Sequence, residues 1–405
     1  MEREPQRETA LTVSKSHLPQ QAAPAREGYW QRTAKRYTRA TRVLLIALLL
    51  FVLLFSAICS DAFAYNNVFY FGKDLFTLSA LNSEGDSVLY YTYGEEGALP
   101  VSYRGGIAVV HRGGTETYDA AGNRLMTVTG QYKNPRVAVS RGNLVSYDFG
   151  GTDFCVSNPY LELYRGTTER AIYRAFISDS GYFTLICASE TALCDVLLYD
   201  ANFRLAQRFS RGGATVCAVV SPNGRYVAIA DATDKGTLVE VYAVGDSTPA
   251  TSFTVEGFPL SLSFEGSTYL SLLTDKGAHA FHVGGKAYGA TSFEGAALYT
   301  FDAGENGTAL VLETNRTQNA YRLVVLDKKG YVKLQKDVTG AITAVSLADD
   351  TVWVLQGDNV SCLRLKDGSA LLERTVPAGA IGISALSNKT AQVLFPAEAL
   401  LLRVR

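Results

Sequence analysis

His111, His279 and His282 are the histidines outside the N-terminal tail. Imidazole is the commonest metal ligand and a general base near neutral pH, so their spacing matters. His279 and His282 stand three apart, which on a strand sends them to opposite faces and away from a shared metal ion. The sequence holds no H-E-x-x-H helix, no calcium loop, no C-x-x-C pair and no G-x-x-x-x-G-K-[ST] phosphate loop. No G-x-S-x-G elbow marks a nucleophilic serine. The carboxylates show no cluster at ligand spacing. The expectation is a chain without catalytic, cofactor-binding or metal-ligating residues, and with no cofactor.

Thiols are the remaining reactive groups. Of six cysteines, Cys59 lies in an apolar run, and Cys155, Cys187, Cys194, Cys217 and Cys362 follow it. An odd number argues against a full disulfide framework. If Cys187 ends one strand and Cys194 starts the next, a hairpin sets them side by side and permits a cross-strand bridge. The alternative is a pair of small buried thiols.

The elements that carry these residues read as strands. Tyr65 to Arg405 spans 341 residues with no long apolar pattern of period 3.6. Short β-branched and aromatic runs recur instead (IAVVH, FTLICA, YVAIA, LVEVY and VWVLQ among them), separated by Gly, Asp, Asn and Ser. Such runs indicate a sandwich, a barrel or a propeller, and an internal repeat selects the propeller. ISDSGYFTLIC (177–187) lies over VSPNGRYVAIA (220–230) at an offset of 43. A strand ending in Asp and a short turn recurs at Asp119, Asp200, Asp327 and Asp367, spaced 81, 127 and 40. These are two, three and one units of about 42 residues, the length of a four-stranded propeller blade. The fold expected is an all-β propeller of about eight blades, with seven or a split blade left open. Within SPNGRY, Pro222, Asn223 and Gly224 suit successive turn positions. Tyr226, Ala228 and Ala230 then face one way, and Val227 and Ile229 the other. Segment 68–94 resembles the last three strands of a unit and 380–405 begins like a first strand, so strands from both ends are expected to complete one blade.

The N-terminal part differs. Lys+Arg is 38 and Asp+Glu 39 overall, which excludes a nucleic-acid binder, but residues 1–42 carry nine basic residues against four Glu. Val43–Ser60 has 18 residues without a charge, about the thickness of a bilayer core. The positive-inside rule puts the N-terminus in the cytoplasm and the C-terminal part outside. Three regions follow: a largely disordered basic tail (1–41), a transmembrane signal-anchor helix (42–64) and an extracytoplasmic propeller (65–405). Trp30, Ala34 and Tyr37 share a helical face, with Trp30, Tyr37, Arg39 and Arg42 as membrane-interface anchors. Ala62-Phe63-Ala64 offers a signal-peptidase pattern, but the long basic lead favours an uncleaved anchor.

SPNGRYVAIA resembles the SPDGKYLAVA-type motif of WD-repeat-like and YVTN-type propellers, with Asn223 where Asp is usual. The Gly-His and Trp-Asp dipeptides of true WD repeats are absent. A basic tail, one anchor, and units alternating SPNG-like with YDANFR-like turns resemble an uncharacterised family of single-pass bacterial membrane proteins with an extracytoplasmic propeller. The resemblance brings no catalytic residues; the anchor, the closed repeat architecture and the missing catalytic constellation point to an interaction or scaffold module at the cell envelope with a protein partner. Two other readings stand beside it: a small-ligand-binding, hydrolytic or lyase propeller using its central funnel, and a transmembrane sensor.

Overall fold

The structure is a computed structural model that describes residues 24–58, 87–90, 98–120, 122–304 and 306–404. The chain divides into two compact units, Met1–Ala64 and Tyr65–Arg405. The first holds one helix, Pro24–Ile58. Pro24 suits the first helical position, where its missing N–H has no partner to lose. The helix covers the face expected at Trp30, Ala34 and Tyr37 and starts a few residues earlier, at Pro24, in a stretch where Ala, Arg, Glu, Gln and Lys favour a helix. The large apolar side chains of Val43–Phe51 are 53–69% exposed. Side chains from 52 to 58, and residues 59–64 with the Ala62-Phe63-Ala64 pattern, lie outside the described residues. Among the described residues no helix is long and apolar enough to cross a membrane.

The second unit contains eight four-stranded antiparallel sheets, an eight-bladed propeller. Blades 1 to 7 cover 99–129, 135–167, 172–211, 214–255, 259–292, 297–339 and 344–375, each from four consecutive strands. Blade 8 takes Gly382–Ser387, Thr390–Leu394 and Glu398–Arg403 from the C-terminus and Ser87–Tyr90 from the N-terminal side. Ser87 pairs with Leu401 and Tyr90 with Glu398. Strands from both ends thus complete one blade, as the sequence implied. The N-terminal share among the described residues is one strand, where 68–94 had suggested three. First strands touch one another in succession from blade 1 to blade 8. The first strand of blade 1 then meets Thr390–Leu394 of blade 8.

Each blade is buried on both faces by its neighbours. In Tyr226–Thr233, the second strand of blade 4, Ala228 and Ala230 pack toward blade 5 with Leu270 and Leu272. Val227 and Ile229 pack toward blade 3 with Val196 and Leu198. Separate apolar clusters fill the other seams, down to Ile107 and Val109 of blade 1 against Leu394 and Ala399 of blade 8. Polar links one repeat apart add to them. Thr117 Oγ1 donates to the Pro159 carbonyl at 2.6 Å, and Ser178 Oγ to that of Ser221 at 2.9 Å.

The repeat markers are turns with a stated cause. Asp119, Asp200, Asp327 and Asp367 end the third strands of blades 1, 3, 6 and 7. Each carboxylate accepts backbone N–H bonds from its own turn, Asp200 Oδ1 from Asn202 and Arg204 at 2.9 Å. In the SPNG turn, Ser221 Oγ accepts from the N–H groups of Arg225 and Tyr226, and Gly224 takes φ 68°.

Trp353 is fully buried at the blade 7–8 seam with Val393 and Leu402. Trp353→Ala is expected to lower the stability of the ring by about 3–5 kcal/mol. The check is a urea titration followed by far-UV circular dichroism; an unchanged midpoint would contradict the packing described.

Candidate interaction surface

Strands alternate in direction, so the ring has two ends. The near end carries the turns between first and second and between third and fourth strands, and Ser87 enters blade 8 there. The far end carries the turns between second and third strands and the links between blades.

A concavity of about 760 Å³ opens on the near end beside Arg104, Arg141, Asp179 and Ala385. Arg104 sits at φ 51° ahead of Gly105 at φ 78°, the two-residue turn that suits the right-handed twist of a hairpin. The backbone N–H of Arg141 donates to Asp179 Oδ1 at 2.8 Å, and its Nε lies 3.5 Å from Asp179 Oδ2. Asp179-Ser180-Gly181 is therefore a turn that ties blade 3 to blade 2.

The far end is different in chemistry. Phe149, Tyr173, Leu193, Phe258 and Ile381 are 44–59% exposed. All five fall in far-end loops or at the start of a first strand. Phe149 bridges to Ile172, which places it beside Tyr173, and the Arg136 guanidinium lies 5.9 Å from the Phe149 ring. Arg174 covers Phe176 at 4.9 Å and donates to the Val216 carbonyl at 3.2 Å. Tyr299 and Phe301 are exposed on the first strand of blade 6. One exposed large apolar side chain is ordinary, whereas several on one end with arginine among them mark an interaction surface.

Buried ionisable groups serve the seams. Arg211 of blade 3 bonds Asp231 Oδ2 through Nε and Nη2 at 3.0 and 2.6 Å and Tyr242 Oη at 2.8 Å, and pairs with Glu240. Burial works against its charge, and the two carboxylates more than offset that. Asp302 of blade 6 accepts from Ser346 Oγ and the Leu347 N–H of blade 7, at 3.0 and 2.8 Å; burial raises its pKa against those bonds. Glu265 of blade 5 is buried and accepts from Thr308 Oγ1 of blade 6 at 3.2 Å. Burial pushes its carboxyl up to about 7, with Asp327 adding to the rise and Thr308, Ser271 and Lys328 opposing it.

No bridge joins the cysteine pair. Cys187 stands opposite Asp195, and Cys194 opposite Ala188. The offset of one residue sends the two thiols to opposite faces of blade 3, Cys187 toward blade 2 and Cys194 toward blade 4. Both are free, as are Cys155, Cys217 and Cys362, and all five are buried. His111 Nδ1 and His282 Nδ1 accept the backbone N–H groups of Gly113 and Gly284 at 3.1 and 3.0 Å, capping turns. Burial lowers the pKa of His279. Among the described residues no three His, Cys, Asp or Glu are grouped where they could hold a metal ion. On the helix, Tyr37, Arg39 and Arg42 are exposed, and the side chain of Trp30 lies outside those described. The far-end apolar group was missed from sequence, because isolated loop residues carry no periodic signal.

A model of the family of unknown function DUF5711 matches residues 91–395. The chain belongs to that family. No curated protein sequence matches it. Solved structures similar to this DUF5711 chain include BamB from Moraxella catarrhalis, with TM-score 0.52, 12% identity, and 78% of this chain and 96% of that one covered. The computationally designed Ika8 protein aligns with TM-score 0.59 and 12% identity over 79% of this chain and 100% of that one. The WD40 domain of SCAP from fission yeast gives 0.55 and 8% over 80% and 99%. At such identities the likeness carries the propeller fold alone.

Two outcomes follow. Burial raises the thiols of Cys155 and Cys187 to about 12 and that of Cys362 to about 11. Intact-mass measurement after maleimide treatment should find all five ring cysteines unmodified in the folded ring and modified in denaturant, with no mass change on reduction. Glu265 has a folded pKa near 7 against about 4.3 unfolded. Its protonated form is favoured in the fold, so stability is complete below about pH 4, falls as pH rises to about 7, then levels. Glu265→Gln should remove that slope and raise stability at pH 8 by up to about 4 kcal/mol. Denaturant titrations from pH 4 to 8 check it; identical slopes in both proteins would contradict it.

Proposed function

We propose that this DUF5711 chain is a non-catalytic scaffold of the bacterial cell envelope. The uncharged run Val43–Ser60 anchors it in the cytoplasmic membrane, with the basic tail inside and the ring outside. The far end of the ring presents its apolar loops to a protein partner. The carrying observation is the exposure of Phe149, Tyr173, Leu193, Phe258 and Ile381 on one end of a closed ring. The uncharged run after nine basic residues supports the anchor and its orientation. A second reading, small-ligand binding, is favoured by the 760 Å³ near-end concavity.

The test is a photo-crosslinking amino acid placed at Leu193 or Phe258 of the full chain in cells, with Arg204 at the near end as control. One discrete protein adduct is expected from the far-end positions. Phe149→Ser with Tyr173→Ser should reduce it by about tenfold, the effect of losing interface anchors, without shifting the melting temperature. Adducts from Arg204 alone would contradict the reading.

A further inference from the structure

Lysine is unevenly placed on the ring. Lys286, Lys328, Lys329, Lys333 and Lys336 are all exposed and belong to blades 5 and 6. Lys286 lies in the near-end turn before Ala287–Ser292, the outer strand of blade 5. Lys328 and Lys329 lie in the near-end turn of blade 6, and Lys333 and Lys336 on the strand that follows, Val332–Thr339. Two glycines hold these blades together. The Gly289 N–H donates to the Lys329 carbonyl at 2.8 Å, and a Cβ on Gly289 would meet the Gly330 carbonyl oxygen at 2.4 Å. The lysine turn of blade 6 is thus pinned against the outer strand of blade 5.

Aromatic and apolar groups interleave with the ammonium groups. Lys286 Nζ lies 5.2 Å from the Tyr288 ring and Lys329 Nζ 6.0 Å from that of Tyr269. Tyr269 and Tyr288 meet edge to face at 5.5 Å. Tyr331 and Val332 follow the turn and are 55% and 51% exposed. The carboxylate in this turn is Asp327, whose Oδ1 accepts the N–H groups of Lys329 and Tyr331. Flexible ammonium groups around an exposed Tyr-Val pair match an interface where phosphate meets hydrocarbon. A second observation concerns direction. Ser87, the first described residue of the ring, and Arg403, at the end of its last strand, both lie on this near end.

We propose that the near end of blades 5 and 6 rests on an anionic lipid surface. Lys286, Lys328, Lys329 and Lys333 meet phosphate headgroups, and Tyr331 and Val332 enter the headgroup region. The inference rests on the membrane reading above and deepens it, since the apolar far end then faces away from the lipid.

The test uses the full chain with Cys59→Ser and an environment-sensitive NBD label on Tyr331→Cys. It is reconstituted with phosphatidylcholine vesicles or with vesicles containing phosphatidylglycerol. The chain should float with both, and NBD emission should shift to the blue with phosphatidylglycerol alone. About 0.5 M salt should reverse the shift by screening. Lys328→Gln, Lys329→Gln and Lys333→Gln together should abolish it, a loss of roughly 100-fold in surface affinity. Flotation with equal emission in both vesicles overturns the proposal and leaves the anchor standing. Binding and a shift with phosphatidylglycerol vesicles alone support the patch and remove the anchor. A shift with soluble polyglycerol phosphate but not with vesicles overturns the lipid assignment in favour of an anionic polymer.

Discussion

Every blade of this ring is a sheet with two apolar faces, and no blade can bury both by itself. The second strand of blade 3, Phe183–Ala188, is buried along nearly its whole length because blades 2 and 4 cover it on either side. The seams are separate apolar wedges arranged around an axis. A ring left open would expose one face of each terminal blade and an unpaired sheet edge. Closure by Ser87–Tyr90 and the packing of Ile107 and Val109 on Leu394 and Ala399 are thus conditions for the other seams to be dry.

Three of the wedges also hold buried polar groups, and these fix geometry. Asp302 and Glu265 reach from first strands to the neighbouring blade, and Arg211 gathers two carboxylates between blades 3 and 4. Buried groups of this kind lose more when unpartnered than they gain when paired. They hold each blade at a set angle to the next. With the seams fixed, the two ends of the ring are free to differ, one carrying the Lys-rich turns of blades 5 and 6 with exposed Tyr331 and Val332, the other exposed Phe149, Leu193, Phe258 and Ile381.

The repeat was legible because turn chemistry is local. Asp119, Asp200, Asp327 and Asp367 bond their own turns, so their spacing counted blades correctly at two, three and one. The alternation from Tyr226 to Ala230 predicted which side chains share a face. Register was not legible: a shift of one residue separates Cys187 from Cys194, and nothing in the loop between them reports it. The helical face at Trp30, Ala34 and Tyr37 was legible, but not the start at Pro24, since composition favoured disorder up to residue 27. The interaction surface was the least legible part. Phe149, Leu193 and Ile381 share one end only through the closed ring, from loops more than 40 residues apart in sequence.

The central claim is a ring closed by one N-terminal strand added to three C-terminal strands. Hydrogen exchange of the intact protein, read by mass spectrometry, tests it most directly. The account predicts that peptides covering Ser87–Tyr90 and Glu398–Arg403 are protected together, and to the same degree as the hairpins of blade 7. Rapid exchange of both, with blades 2 to 6 still protected, would show an open ring and contradict it.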